Sequence, residues 1–209
     1  MSYLILVRHG ESLWNQKGLW TGWTDIELSE KGREEARNAG GAIKDLPIDE
    51  VYISNLSRAK QAWEEISKVK YPPSSPLPPI TQTDSLNERN YGDYTGKNKW
   101  ELQRQLGDEK FQEIRRGWDS PIPNGESLKD VSERVLPYFA EEILPKLKHG
   151  KNILVSAHGN SLRALIKYLD NITDEDVSKL ELKTGEVYVY TFDDNGAITH
   201  NEILTRHLQ

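Results

Sequence analysis

The sequence has no cysteine among its 209 residues. This absence excludes disulfide bonds, catalysis by a thiolate and zinc sites built on cysteine ligands. There is also no apolar run near the roughly 20 residues that a membrane-spanning helix needs, and no charged and then apolar leader at Met1. We therefore expect a cytoplasmic protein with no membrane partner.

Positive charge is scarcer than negative charge. The chain has 27 Lys and Arg against 33 Asp and Glu, a net charge of −6. This balance argues against a nucleic-acid-binding protein but leaves room for a local basic pocket that binds a small anion. The histidines are His9, His149, His158, His200 and His207. None of them shows a short metal-ligand spacing, so no metal site is predicted.

What the chain does contain is an alternation of strand and helix patterns, which is typical of βαβ units and predicts an α/β fold. Its 36% hydrophobic content is enough for one sizeable core, so we expect a single domain over residues 1–209. Buried strands are predicted at residues 4–7, 49–54 and 152–157, a further strand near residues 80–86, and a final hairpin that turns at residues 194–196.

Helix patterns follow most of these strands. Two helices are predicted to begin near Ser29 and Ser57, and a capping box at Ser127 predicts a third, longer one. We expect Pro137 and Pro145 to kink or shorten this third helix, because proline lacks the backbone donor that a helix interior needs.

The middle of the chain is less regular. The proline-rich residues 71–79 fit neither a helix nor an interior strand, so they are predicted to form a surface connection. Residues 97–116 indicate two short helices that are broken at Gly107.

Two segments repeat one pattern: "LILVRHG" ends in His9-Gly10, and "NILVSAHG" ends in His158-Gly159. Ligands of open α/β sheets bind outside the carboxyl ends of the strands, so both imidazoles are predicted to reach one place. A lone strand-end histidine is more often a hydrogen-bonded structural residue, and a glycine there serves an empty turn equally well. The repetition is what favours a functional site.

Arg8 precedes the first of these histidines, and the pair suits phosphoryl transfer without a metal. A neutral imidazole, whose unperturbed pKa is about 6.5, can accept a phosphoryl group as a nucleophile. Arginines and helix-start amides can neutralise the phosphoryl charge. Arg58, at the start of the helix after the second strand, is a candidate for a second arginine contact, although a solvated helix residue is the ordinary alternative.

Seven segments together resemble one family. They are "VRHGESLWN", "TGWTDIELSEKG", "SRA", "LNERNYGDYTGKNK", "RRGW", "PNGESLKDVSERVLPY" and "AHGNSLRALIKYLDN". The chain is similar to the cofactor-dependent phosphoglycerate mutases of the histidine phosphatase superfamily. The resemblance implies a three-layer α/β fold with a mostly parallel sheet flanked by helices. It also implies a metal-independent enzyme that interconverts 3- and 2-phosphoglycerate through a phosphohistidine, with 2,3-bisphosphoglycerate as its cofactor.

The resemblance also assigns roles to residues of this sequence. It implies that His9 is the phosphorylated nucleophile, that Glu88 is the general acid and base, and that Arg8, Arg58 and His158 surround the phosphoryl group. Phosphate and substrate contacts are implied for Ser12, Asn15, Thr21, Gly22, Gly159 and Asn160. Contacts with the carboxylate and the second phosphate are implied for Arg89, Tyr91, Lys99, Arg115 and Arg116.

Simpler alternatives exist for some of these residues. Glu88 is expected to have a raised proton affinity beside an anionic substrate, but a loop glutamate paired with Arg89 is the ordinary alternative. Residues 97–116 carry six basic and four acidic side chains, so by charge alone they fit a solvated helical surface. The resemblance is what favours ligand binding there.

The chain departs from the family pattern in several places. It lacks an insertion that long forms carry after Arg116, and it has Asn90 where an aromatic residue or histidine is usual. Glu186-Val187 replaces a common Val-Pro, which puts an acid near the expected edge of the pocket. Residues 201–209 form a short tail that leaves little chain to cover the site.

Two other functions stay open at this point. A phosphatase would use the same His9 chemistry and pass the phosphoryl group to water, and it would not need Lys99, Arg115 and Arg116. A catalytically inactive binding module is a third possibility. The expected partner is a small phosphorylated anion, and the oligomeric state, monomer or homo-oligomer, is left open.

Overall fold

The computed structural model describes residues 1–204, which contain one six-stranded sheet. Its strands are β1 (Ser2–Arg8), β2 (Glu50–Ser54), β3 (Ile80–Thr83), β4 (Ile153–Ala157), β5 (Val187–Phe192) and β6 (Ile198–Ile203). The strand order is β3-β2-β4-β1-β5-β6. The first four strands in this order pair in parallel, whereas β5 and β6 are antiparallel. The predicted α/β class with a mostly parallel sheet is confirmed.

Helices cover both faces of the sheet. They are α1 (Leu13–Gln16), α2 (Glu30–Ala42), α3 (Ser57–Lys70), α4 (Lys99–Leu106), α5 (Asp108–Arg116), α6 (Leu128–Tyr138), α7 (Leu144–Lys148) and α8 (Gly159–Leu169). Side chains alternate across β1, so Ile5 and Val7 join the core formed with α2 and α3. Leu4 and Leu6 join the core formed with α6 and α8. The three-layer arrangement is therefore confirmed.

The predicted long helix after Ser127 is interrupted. Ser127 caps α6 with the expected capping box, in which its hydroxyl and the Asp130 carboxylate exchange hydrogen bonds with the backbone. Pro137 lies near the end of α6, a π-helical turn follows at Phe139–Ile143, and Pro145 stands in the first turn of α7. The two prolines lie on either side of the irregular turn, as their missing backbone donors predict.

Helices α4 and α5 form the predicted pair, and Gly107 separates them with a backbone φ of 82° that favours glycine. They enclose a small apolar cluster of Trp20, Leu102 and Phe111. This cluster is separate from the two cores beside the sheet, and it attaches the basic residues of α4 and α5 above the ends of the strands.

The final hairpin turns where expected, because the Asp193 carboxylate accepts hydrogen bonds from the N–H groups of Asn195 and Ala197. Strand β5 lies antiparallel to β1, and β6 forms the edge of the sheet. Residues 201–203 of the expected tail thus belong to β6, whereas residues 205–209 lie outside the described part. Within residues 1–204, no helix has both the length and the apolar character to cross a membrane.

Candidate active site

The two strand-end histidines meet, as predicted. Strands β1 and β4 are parallel neighbours with Arg8 opposite Ala157, so the residues that follow them emerge side by side. The ring centroids of His9 and His158 are 4.9 Å apart, and the rings stand edge to face. Both side chains are buried. Their convergence follows from parallel strands ending at one edge of the sheet.

His9 presents one particular nitrogen to the site. Its Nδ1 lies 2.6 Å from the Gly10 carbonyl oxygen, which can only accept, so Nδ1 carries the hydrogen and Nε2 keeps its lone pair. Burial, followed by the charges of Arg58 and Arg8, holds the pKa of His9 well below 6.5. The ring is therefore neutral and nucleophilic. Gly10 serves packing, because a Cβ there would stand 2.0 Å from the Gly32 carbonyl oxygen of α2.

His158 precedes α8 and is completely buried. Its Nε2 lies 2.7 Å from the Ser54 hydroxyl at the end of β2. Burial is the main cause that lowers the pKa of His158 well below 6.5, and the positive charge of Arg58 adds to it. The ring is therefore also neutral.

Arg8 and Arg58 lie beside the histidines. Arg8 donates to the Leu182 carbonyl. Arg58 donates to the carbonyls of Gly22 and Thr24 at 2.8 and 3.1 Å. Arg58 is only 1% exposed, so the alternative of a solvated helix residue is wrong. Burial lowers the pKa of Arg58 to about 10, which leaves it charged at neutral pH.

Glu88 is buried, and its two carboxylate oxygens differ. Oε1 accepts from the backbone N–H groups of Arg89 and Asn160 and from the Asn160 side-chain amide, at 2.8 to 3.1 Å. Oε2 has no such set of donors within the described residues. Proton transfer is therefore expected at Oε2 rather than at Oε1.

The expected rise in the proton affinity of Glu88 is not found in the ligand-free protein. Burial acts to raise the pKa of Glu88, but the hydrogen bond from Arg89 and the charges of Arg58 and Arg8 outweigh it and hold the pKa below 4.5. The prediction assumed a neighbouring anion that would offset those arginines. Without one, Glu88 is a carboxylate and has the protonation state of a base.

Most of the predicted residues line one pocket. Its lining consists of Arg8, His9, Asn15, Trp20, Thr21, Arg58, Glu88, Tyr91, Lys99, Arg115, Arg116, Gly159, Asn160 and Arg163. Six of these side chains are Lys or Arg, and Glu88 is the one acid of this lining. The chain is acidic as a whole, yet this pocket is strongly basic, as an anion-binding site requires.

Four predicted residues lie behind the lining. His158 is beneath His9, and the Ser12 hydroxyl caps α1 by accepting from the Asn15 N–H at 3.1 Å. Gly22, with a φ of 55°, offers its carbonyl to Arg58. Arg89 is fully buried, donates to the last carbonyls of α5 and stands 4.8 Å from the centre of the Tyr91 ring. Direct ligand contact by Ser12, Gly22 and Arg89 stays a prediction.

Two lining residues were missed, namely Trp20 and Arg163. Trp20 precedes one segment that carries the family resemblance and Arg163 lies within another, but neither the residue type nor the position indicated that these side chains line the pocket. Arg163 donates from Nη1 to the Asn160 side-chain oxygen at 3.1 Å. Because Asn160 in turn donates to Glu88, Arg163 fixes the orientation of the amide that holds the acid.

The departures from the family pattern have local explanations. The Glu186 carboxylate accepts from the Lys183 N–H and the Tyr188 hydroxyl, and Glu186 is absent from the pocket lining. The Asn90 side-chain oxygen accepts from the Gly92 N–H, its backbone N–H donates to the Glu126 carboxylate, and its backbone carbonyl accepts from the Glu126 N–H. It therefore supports the loop that follows Glu88.

Buried polar atoms without a partner lie at the pocket. Arg8 Nε and the Thr21 hydroxyl are buried and have no hydrogen-bond partner within residues 1–204, and the same is true of His158 Nδ1. Buried polar groups are nearly always paired in folded proteins, so the two donors, Arg8 Nε and the Thr21 hydroxyl, fit the oxygens of a bound anion. The described residues include no group of three or more His, Cys, Asp or Glu side chains able to hold a metal ion; metal independence stays a prediction.

Comparison with known proteins identifies the family. Residues 4–202 match the model of the histidine phosphatase superfamily, branch 1. The chain belongs to this superfamily. A 2,3-bisphosphoglycerate-dependent phosphoglycerate mutase of Parvibaculum lavamentivorans is 46% identical over 96% of this chain and 95% of its own length. One of Chlamydia abortus is 41% identical over 97% and 99%.

Solved structures share the fold of this chain. Bacillus stearothermophilus YhfR aligns with a TM-score of 0.81 at 26% identity, over 95% of this chain and 94% of its own. A mycobacterial glucosyl-3-phosphoglycerate phosphatase also aligns with a TM-score of 0.81, at 21% identity, over 99% of both chains. The second similarity bears on the fold alone.

Proposed function

We propose that this protein is a 2,3-bisphosphoglycerate-dependent phosphoglycerate mutase, which interconverts 3-phosphoglycerate and 2-phosphoglycerate. The observation that carries the proposal is a basic pocket with two sources of positive charge. Arg8 ends β1 and Arg58 lies in the first turn of α3, whereas Lys99, Arg115 and Arg116 come from α4 and α5. A substrate with one phosphate to transfer and a second anionic group to hold needs both. The two mutase relatives support the same activity.

The nucleophile in this proposal is His9 Nε2, which attacks phosphorus while Nδ1 stays bonded to the Gly10 carbonyl. The bond from phosphorus to the departing substrate oxygen breaks as the bond to Nε2 forms. Arg8 and Arg58 hold the phosphoryl oxygens with fixed positive charge, which is worth most in a buried site. Because burial and these arginines keep the His9 ring neutral, no base is needed to activate it.

Glu88 is the general acid and base in the same scheme. Oε2 removes the proton from the substrate hydroxyl that attacks the phosphohistidine, and it returns that proton to the substrate oxygen that departs when a phosphoryl group moves back to His9. The pKa of Glu88 is below 4.5 in the free protein. A bound phosphate offsets the charges of Arg8 and Arg58, so the carboxylate gains proton affinity when an anion is present.

The residues also fit 2,3-bisphosphoglycerate as the cofactor. It would supply the phosphoryl group that primes His9. The basic residues of α4 and α5 would hold its remaining anionic groups, and crowding among them supports that role. Burial, followed by the charges of Arg115 and Arg8, lowers the pKa of Lys99 to about 8. Like charges packed this closely are relieved by a bound anion.

A kinetic assay tests the proposal. We expect 3-phosphoglycerate isomerisation that depends on added 2,3-bisphosphoglycerate, survives exhaustive EDTA treatment and is inhibited by vanadate. The exposed Arg104 of α4 provides a matched control, because Arg104→Ala removes a positive charge outside the lining while Lys99→Ala removes one within it. The proposal fails if isomerisation is undetectable, or if it requires added Mn²⁺ after chelation.

A phosphatase is the second candidate, because solved structures of similar proteins include phosphatases. A putative alpha-ribazole-5'-phosphate phosphatase of Escherichia coli aligns with a TM-score of 0.79 at 27% identity over 98% of this chain and 96% of its own. Hydrolysis of 2,3-bisphosphoglycerate faster than isomerisation in the same assay would favour this candidate. The mutase proposal also carries the expectation of a cytoplasmic location, and it leaves the oligomeric state open.

A further inference from the structure

A chain of buried hydrogen bonds runs behind the pocket from His158. His158 Nε2 lies 2.7 Å from Ser54 Oγ, and Ser54 Oγ lies 2.8 Å from the Asn87 side-chain oxygen. Ser54 ends β2, and Asn87 immediately precedes Glu88 in the chain. Neither residue lines the pocket, so neither has a direct role in the chemistry described above.

The direction of each hydrogen bond in this chain is fixed. The Asn87 side-chain oxygen also accepts from the Asn55 backbone N–H at 3.1 Å, and a backbone N–H can only donate. The Ser54 hydroxyl therefore gives its one hydrogen to Asn87. Ser54 Oγ accepts from the Leu56 N–H at 3.2 Å and has one acceptor position left for His158. His158 Nε2 must consequently donate and carry the ring hydrogen.

This assignment determines what His158 offers to the site. In the neutral ring, Nδ1 has a lone pair and no hydrogen. Nδ1 is buried without a partner in the described part of the chain, and its ring centroid lies 4.9 Å from that of His9. The oxygens of a dianionic phosphoryl group are acceptors only. Nδ1 and such an oxygen can interact only with a proton between them.

We infer that Ser54 and Asn87 are positioning residues, which hold His158 in the Nε2–H tautomer and thereby couple the binding of a phosphoryl group at His9 to the uptake of one proton. The proton comes from solvent and binds to Nδ1, so that His158 becomes a cation that donates to the phosphoryl oxygen. No bond to carbon or phosphorus changes in this step. The inference rests on the proposed phosphate site at His9.

The charges around His158 agree with this coupling. Its surroundings include Arg58 on α3, Arg134 on α6 and Arg8 at the end of β1, together with the neutral His9 ring. Glu88 lies in the loop next to Asn87, and its charge already faces Arg8 and Arg58. Three nearby arginines disfavour a charged His158 in the free protein. An arriving dianion reverses that balance.

Nitrogen-15 NMR of the ligand-free, full-length protein tests the tautomer without any turnover. The His158 signals are assigned by their loss in His158→Gln. We expect a protonated Nε2 and an unprotonated Nδ1 in the wild type. In Ser54→Ala the acceptor is lost, so the Nδ1–H form should appear. Ser54→Thr, which keeps the hydroxyl, should restore the wild-type tautomer, and an Nδ1–H wild type would overturn the inference.

Calorimetric titration with inorganic phosphate, in buffers of different ionisation enthalpy, measures the proton uptake. We expect about one more proton bound by the wild type than by Ser54→Ala at a pH where free phosphate is largely dianionic. The matched control is Ser2→Ala, because Ser2 is a buried strand serine whose hydroxyl donates to the distant Leu147 carbonyl. It should match the wild type.

Equal proton uptake in the wild type and Ser54→Ala would overturn the coupling. If Ser54→Ala fails to fold, the nitrogen-15 NMR measurement of the His158 tautomer in the wild type still tests the inference. These measurements are independent of isomerase activity. A protein with the expected tautomer and proton uptake but no isomerisation would refute the proposed mutase function alone.

Discussion

The turns after β1 and β4 have the same local sequence, His-Gly, but they prepare their imidazoles in opposite ways. His9 gives its Nδ1 hydrogen to the Gly10 carbonyl and keeps the Nε2 lone pair. His158 gives its Nε2 hydrogen to Ser54 and keeps the Nδ1 lone pair. Both rings are buried and neutral. The hydrogen-bond partner of each ring, rather than the motif, therefore separates the proposed nucleophile from the histidine proposed to contact the phosphoryl group.

The largest expected effect comes from replacing each of the two histidines in turn. With labelled 2,3-bisphosphoglycerate, the wild type should acquire an acid-labile, base-stable phosphate, and His9→Gln should acquire none and lose isomerisation. His158→Gln should still be labelled, at a rate lower by about 10²–10³, as expected for one lost contact to developing charge. His200→Gln on the exposed strand β6 is the control. Label that persists in His9→Gln would remove the nucleophile assignment.

The next largest effect distinguishes the role of Glu88 in proton transfer from the role of His9 as nucleophile. Glu88→Gln should reduce isomerisation by about 10²–10⁴, the usual contribution of general acid–base catalysis. Phosphorylation of His9 by p-nitrophenyl phosphate should fall far less, because a nitrophenolate leaves without a proton. Rapid-quench measurement of both half-reactions, with the exposed Glu101→Gln as control, makes the comparison. Wild-type rates for both would show that Glu88 is no acid or base.

A smaller effect is expected from the residues of α5 that lie over His9, because a phosphohistidine must be shielded from water if it is not to be hydrolysed. Arg116 pairs with Glu181 at 2.6 Å and so also attaches α5 to its surroundings, whereas Arg115 stands over Phe111 of the same helix. Replacing both with Ala should raise the ratio of 2,3-bisphosphoglycerate hydrolysis to isomerisation about tenfold, equivalent to about 1.4 kcal/mol. The double variant Arg104→Ala, Lys110→Ala removes two exposed charges of the same helix pair as a control.

The short tail gives a second arm of this test. Residues 201–203 belong to β6 and pair with β5, so a deletion that spares the sheet is confined to residues 205–209. We expect it to change the ratio less than loss of the two arginines does. A strong effect of the deletion together with none from the arginines would assign the shielding of His9 to the tail.

The sequence predicted the features that depend on chain direction. Parallel strands ending in His9 and His158 must release both residues at one sheet edge, and the break at Gly107 follows from its own conformational freedom. The position of β5 beside β1 was not predictable, because strand order depends on packing between distant segments. The four-residue helix α1 was also missed, because a single turn is too short to show a helical pattern of apolar residues.

The electrostatics of the site were the least predictable feature. Glu88 was expected to gain proton affinity, but three hydrogen bonds to Oε1 and two arginines act in the opposite direction. The two hydrogen bonds from Asn160 join residues 72 positions apart in the chain. Ser54 and Arg163 were missed for another reason, because each acts on the site through the side chain that it contacts, His158 and Asn160 respectively.

The smallest expected effect tests whether both histidines are neutral when folded, through the pH dependence of stability. Below pH 6.5 the histidines of the unfolded chain bind protons, whereas His9 and His158, whose pKa values are lowered by burial, do not. The unfolded state then binds more protons, so the free energy of unfolding falls as the pH falls. One unit below 6.5, each buried histidine costs about 1.4 kcal/mol at most.

Urea unfolding at pH 7.5 and pH 5.5 measures this loss. His158→Gln should lose up to about 1.4 kcal/mol less than the wild type over that interval, whereas His200→Gln should follow the wild type. Glu88 does not confound the comparison, because its lowered pKa makes its own contribution disappear only as the pH falls through and below 4.5. Parallel curves for His158→Gln and the wild type would mean that His158 takes up its proton over the same pH range in the folded protein as in the unfolded chain, so that burial does not keep its ring neutral.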